Sequence, residues 1–165
     1  MNQPPSSLNP SLTDSPFVYH AGELLCEGVS LAAVAVAVDT PLYVYSRADL
    51  MLRADAFLSA ARDAAGGGAL VCYAVKANGN PTILTLLREA GLGADVTSGG
   101  ELFLALGAGV EPSRIIFSGV GKKASEIAEA LRAGIRALHV ESEMELATVA
   151  EVAEQTGVVA PVGVR

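Results

Sequence analysis

Lys76 follows the apolar run Val71-Cys72-Tyr73-Ala74-Val75 and precedes Ala77-Asn78-Gly79-Asn80-Pro81. A lysine amine is a nucleophile only when unprotonated, and leaving an apolar strand favours the neutral form. Such an amine can condense with an aldehyde or ketone. Taken alone, a strand-end lysine more often just reaches solvent. The residues at the ends of the neighbouring strands change that balance. Asp95 comes with Thr97-Ser98-Gly99-Gly100-Glu101, then Ser118-Gly119-Val120-Gly121-Lys122, then His139, Glu141 and Ser142, and finally Arg165. An amine, carboxylates, hydroxyls and a guanidinium on one rim suit an anionic, carbonyl-bearing cofactor.

That rim exists only if the chain alternates strand and helix in register. The apolar patterning predicts strand Leu70–Val75 and helix Pro81–Ala90, strand Ala94–Thr97 and helix Gly99–Gly107, strand Arg114–Phe117 and helix Ser125–Ala133. Strand Arg136–Val140, helix Glu143–Gln155 and strand Pro161–Arg165 follow. The strand-to-strand step is about 22 residues, and such regularity is a fold signal. Alternating βα units imply parallel strands with right-handed crossovers. No glycine-rich dinucleotide fingerprint follows the first strand. We therefore expect an α/β fold of the (β/α)8 TIM barrel type, with active residues at the C-terminal strand ends. Only about five βα units are visible where closure takes eight. We expect the chain to be the N-terminal piece of a longer enzyme.

Upstream, Met1 to Pro16 is rich in Pro, Ser and Asn and reads as a disordered tail. Residues 17–46 form a leading segment, with strands through Phe17–Cys26, a helix capped by Ser30 and running to Val38, and a strand Leu42–Tyr45. Arg47 to Ala65 is an Ala-rich helix with one apolar stripe, and it opens the barrel part, 47–165. Gly66-Gly67-Gly68 precedes a strand, so it reads as a link and not a phosphate loop.

The composition excludes several classes. The chain has 11 Lys and Arg against 18 Asp and Glu, a net charge of −7. Nucleic acid is therefore not an expected partner. Cys26 and Cys72 belong to no CxxC pair and behave as small hydrophobes. Nothing at the N-terminus resembles a signal peptide, and the run Leu31–Val38 is too short to cross a bilayer. The reading is a cytoplasmic protein without a membrane segment or a metal-ligand cluster.

Tyr73-Ala74-Val75-Lys76-Ala77-Asn78 resembles the cofactor-attachment motif of the alanine-racemase-fold, pyridoxal-phosphate-dependent decarboxylases. Ile83, Leu84, Leu87 and Gly91 continue the match. Gly93-Ala94-Asp95-Val96-Thr97-Ser98-Gly99-Gly100-Glu101-Leu102, Phe117–Lys122 and Val140–Glu143 resemble the family's later blocks. The leading residues Gly22–Val29 and Thr40–Ser46 are similar to its diaminopimelate decarboxylase branch. The resemblance covers nearly everything from Phe17 onward. It implies an alanine-racemase-type barrel whose C-terminal β domain lies beyond this chain, with residues 17–46 associated with that domain. It implies pyridoxal 5′-phosphate as cofactor, a small amino acid as substrate, and a homodimer at full length. Lys76 would be the catalytic attachment point, Asp95 a carboxylate near it, and Arg165 a group near the cofactor's phenolic oxygen. The implied reaction is decarboxylation of meso-2,6-diaminopimelate to L-lysine. Ornithine- or arginine-type decarboxylases, amino-acid racemases and a non-catalytic cofactor-binding barrel share the fold and remain alternatives.

Asp95 has a second reading, as a cap for the helix at Ser98 or Gly99. Glu101 matches a family acid, although a first-turn glutamate also answers the helix dipole. Lys122-Lys123 could attract a substrate carboxylate or simply be solvated. His139 could line the barrel mouth, and His20 precedes the barrel. The Ile116–Lys123 stretch is not a Walker loop.

Overall fold

Two-residue turns organise the leading segment. Ala21-Gly22 and Glu27-Gly28 all have positive φ, the pairing that matches a hairpin turn to the twist of its strands. The result in the computed structural model, which describes residues 15–165, is an antiparallel sheet of β1 (Phe17–His20), β2 (Glu23–Cys26) and β3 (Val29–Ser30). Ser30 caps α1 (Leu31–Val38) by accepting from Ala33 N at 3.1 Å, as its sequence position predicts. Residues 1–14, most of the expected tail, lie outside the described residues.

Leu42–Tyr45 is a departure from expectation. This run of β-formers joins no ladder among the described residues. Propensity marks a segment that would fit a pleated surface, but a strand needs a partner. Helix α2 (Arg47–Ala64) begins directly after it. The Glu27 carboxylate accepts from Ser46 Oγ at 2.6 Å and from Ala48 N at 2.9 Å, and Ser46 Oγ accepts from Asp49 N at 2.9 Å. Those bonds tie the first turn of α2 to the leading sheet. The chain divides into two compact units at Phe57/Leu58, inside α2.

The second unit holds a five-stranded parallel sheet in chain order: β4 (Cys72–Ala74), β5 (Gly93–Val96), β6 (Ile115–Phe117), β7 (Ala137–Val140) and β8 (Val162–Val164). Between them run α3 (Pro81–Glu89), α4 (Gly99–Gly107), α5 (Ala124–Ala133) and α6 (Glu143–Thr156). Sequential parallel order is the arrangement of a barrel wall, whereas a doubly wound sheet reverses strand order part-way. Strands β6, β7 and β8 are a residue or two shorter than the patterning predicts, and β5 keeps its length one position earlier. The largest change is at β4, where Val75–Ala77 leaves the ladder as a 3-10 turn.

Strand periodicity separates two faces. Ala94, Val96, Ile115, Phe117, Leu138 and Val140 are buried at 0–3% exposure, in one cluster with Leu84 of α3, Leu102 of α4, Ile127 of α5 and Val149 of α6. The alternate positions, Asp95, Ile116, Ala137 and His139, are only half-buried and lie on the opposite face. Packing at the start of β5 admits no side chain. A Cβ on Gly93 would lie 2.2 Å from the Arg114 carbonyl oxygen and 3.0 Å from Cys72 Sγ.

Candidate active site

Lys76 sits in the 3-10 turn two residues past Ala74, and it is exposed. Its surroundings are fixed by side chains of the motif itself. Tyr73 Oη donates to the Asn78 carbonyl at 3.2 Å, and Asn78 Oδ1 accepts from Asn80 N at 3.0 Å. Asn80 caps α3, accepting from Thr82 N at 2.9 Å, with Pro81 at the first helical position. Lys76 itself makes no hydrogen bond or ion pair among the described residues. Strand and helix thus hold the backbone on both sides of an uncommitted amine.

Asp95 pairs with Ala74 on one side and with Ile116 on the other, in the middle of the open face. Its Oδ1 is buried and lacks a partner among the described residues. The capping reading of Asp95 is overturned. Ser98 is the cap, its Oγ accepting from Glu101 N at 3.2 Å. The Glu101 carboxylate is spent locally, accepting from Thr97 N at 2.7 Å and from Thr97 Oγ1 at 3.1 Å. That reciprocal bonding belongs to helix initiation. Buried polar atoms are normally satisfied, so an orphaned carboxylate oxygen on an open sheet face points to a ligand.

One residue beyond the Val96–Phe117–Leu138 row come Thr97 and Ser118, just past the ends of β5 and β6, and His139 paired with Gly163, with Val140 and Val164 pairing one residue further on. Ser118 Oγ and His139 Nδ1 are 3.1 Å apart. Two residues further, Glu141 Oε1 lies 3.5 Å from Arg165 Nη1, and the Arg165 amide donates to the Val140 carbonyl at 3.0 Å. Arg165 is thus tied into the ladder at the same C-terminal strand ends as Lys76.

Lys122 is neither solvated nor free to take a substrate carboxylate. Its Nζ donates to the carbonyls of Gly119 (2.7 Å) and His139 (2.6 Å) and to Glu145 Oε1 (2.9 Å), and it stands 5.7 Å above the centre of the Phe117 ring. Glu145 Oε2 accepts from Glu141 N at 2.8 Å. Burial works against the Glu145 carboxylate, but the Lys122 ammonium and the Glu141 amide outweigh it and hold the carboxyl below its ordinary range. A cleft of about 260 Å³ opens beside this pair, between Val120–Lys122 and the start of α6. The Lys122 amine, fully engaged, offers it nothing. Glu126 closes a similar bond set, accepting from Gly99 N at 2.7 Å and Lys123 N at 3.0 Å.

Sequence reasoning missed Glu145, and it placed Ser118 and His139 on the rim without foreseeing their contact. Ser142-x-x-Glu145 ahead of an apolar helix is a capping-box spacing and was a usable signal. The Ser118–His139 contact joins residues 21 apart and requires the strand register. Among the described residues no group of three or more His, Cys, Asp or Glu could hold a metal ion, and no helix is long and apolar enough to cross a membrane.

The family description "Pyridoxal-dependent decarboxylase, pyridoxal binding domain" matches residues 53–165. The chain is 46% identical over 147 residues to a diaminopimelate decarboxylase of Aquifex aeolicus, covering 89% of this chain and 34% of that protein. The Pseudomonas aeruginosa diaminopimelate decarboxylase is 44% identical over 149 residues, covering 90% of this chain and 35% of that protein. Among solved structures, the diaminopimelate decarboxylase from m. jannaschii in co-complex with L-lysine superposes with a TM-score of 0.85 at 34% identity, over 90% of this chain and 35% of that one. The chain therefore spans about a third of the length of the relatives it matches.

Proposed function

The chain belongs to the pyridoxal-dependent decarboxylases by its pyridoxal binding domain, and on that premise we propose that the polypeptide carrying it converts meso-2,6-diaminopimelate to L-lysine and carbon dioxide. The names of its relatives and the L-lysine bound in one of them support the substrate class. The observation that carries the reading is the presence, around one strand end, of an uncommitted amine, Lys76, and a buried carboxylate oxygen, Asp95 Oδ1, that lacks a partner among the described residues. Asp95 pairs with Ala74, the last residue of β4, and Lys76 follows two residues later in the 3-10 turn.

These residues fit pyridoxal 5′-phosphate. The cofactor, when bound, supplies an aldehyde for an amine and a ring that takes up the electron pair left by a departing carboxylate. Lys76 would hold the cofactor covalently. Its amine is also a group that can carry a proton within the site. The Asp95 anion favours a proton on a nitrogen beside it. Arg165 supplies fixed positive charge at the same strand ends, steadied by Glu141 at 3.5 Å. A homodimer in the cytoplasm is the assembly and location we propose for the complete protein.

The test is product analysis. The full-length polypeptide, loaded with pyridoxal 5′-phosphate, is given meso-diaminopimelate, ornithine, arginine and alanine in separate reactions. Release of carbon dioxide with L-lysine from the first alone supports the proposal. Turnover confined to any of the others assigns a sister activity and contradicts it.

A further inference from the structure

Ser118 is 5% exposed, and His139 Nδ1 at 3.1 Å is the sole acceptor its hydroxyl has among the described residues. A serine hydroxyl can donate or accept. With Ser118 as the donor, Nδ1 accepts and Nε2 carries the imidazole proton, which is the tautomer the proposal below assigns. Two further contacts fix where that N–H points. Lys122 Nζ holds the His139 carbonyl at 2.6 Å. Across the ladder His139 pairs with Gly163, where a Cβ would stand 2.8 Å from His139 Cδ2 and 3.3 Å from Nε2. Gly163 is not in the left-handed region that favours glycine. Its missing side chain therefore serves space, and the imidazole edge bearing Nε2 fills that space on the open face of the sheet.

Building on the cofactor reading above, we propose that His139 is a ligand-facing residue of this site. Its Nε2–H, set by Ser118 and lying over Gly163, binds an anionic oxygen of pyridoxal 5′-phosphate. Ser118, Gly163 and Lys122 are positioning residues that act through it. Arg165, two residues beyond Gly163, adds a second donor on the same strand. Charge-assisted hydrogen bonds of this kind are the strong ones.

The experiment is an absorbance titration of the full-length apoprotein with pyridoxal 5′-phosphate, and separately with pyridoxal. His139→Leu weakens binding of the phosphate form by about tenfold or more and moves the absorption maximum of the bound cofactor. His139→Gln, which keeps an N–H donor, recovers most of the affinity. Gly163→Ala displaces the ring and weakens binding in the same direction. A defect that persists with pyridoxal identifies the ring oxygen as the bound anion. A defect confined to the phosphorylated form identifies the phosphate. Unchanged affinity in His139→Leu, or equal loss in the Leu and Gln variants, overturns the inference. Borohydride trapping of the wild type separates the two levels. A label on Lys76 together with an indifferent His139 sinks this inference alone, and no label on Lys76 sinks the cofactor reading beneath it.

Discussion

Lys122 and Glu145 form an ion pair away from water, with Nζ 2.9 Å from Oε1 and side chains only 1% and 9% exposed. Each member is satisfied beyond the pair. Lys122 reaches two carbonyls from separate strand ends, and Glu145 receives the Glu141 amide. The pair therefore joins the β6–α5 loop, the end of β7 and the first turn of α6. All three lie at the rim that carries the candidate site.

Removing one partner leaves the other buried and uncompensated. Lys122→Met is expected to cost about 3–5 kcal/mol, the range for breaking a buried pair from one side. The double variant Lys122→Met/Glu145→Leu recovers part of that loss. Urea unfolding of the single and double variants measures both quantities.

The same pair makes stability depend on acid. The Glu145 carboxyl is held below its ordinary range in the folded chain, so the folded state favours the ionised form. Its contribution is complete above the ordinary carboxyl value and is lost as the pH falls toward the lowered one. Unfolding midpoints measured downward from neutrality should fall less steeply in Glu145→Gln than in the wild type. Parallel curves would contradict this.

Glu126 links two helices through backbone amides, Gly99 N of α4 and Lys123 N ahead of α5. These two bonds hold its carboxyl low. Glu126→Ala removes an acceptor from both helix starts and should cost about 1–2 kcal/mol. Thermal unfolding of this variant checks the figure. A shift indistinguishable from zero would mean that water replaces the carboxylate without loss.

Gly93→Ala is expected to be among the most damaging single-methyl changes. The added carbon meets a backbone carbonyl at 2.2 Å, which cannot swing aside as a side-chain tip would. Soluble yield and unfolding midpoint both register the effect. Gly107→Ala, where the added carbon meets nothing within 4 Å, is the matched control.

Much of this architecture is legible in the amino-acid sequence. The repeated apolar runs carry the strand period, and their spacing by helix-length segments sets parallel order, so β4–β8 and α3–α6 fall close to their predicted bounds. The 3-10 turn at Lys76 was hidden because Val75 is itself a strong β-former. What ends β4 is the ladder, whose last pair is Ala74 with Asp95. Leu42–Tyr45 misled for the converse reason, having β-forming side chains without a ladder partner among the described residues. At the site, Lys76, Asp95 and Arg165 could be nominated from strand ends alone. The fate of Lys122 could not, because two of its three acceptors are carbonyl oxygens, which every sequence position offers alike.

The account turns on the Lys76 amine as the cofactor's attachment point. The most direct measurement is borohydride reduction of the full-length protein loaded with pyridoxal 5′-phosphate, followed by peptide mapping of the fixed pyridoxyl group. The label is expected on Lys76 and is expected to disappear in Lys76→Ala. A label fixed to Lys122, Lys123 or any other residue, with Lys76 unmodified, would contradict it.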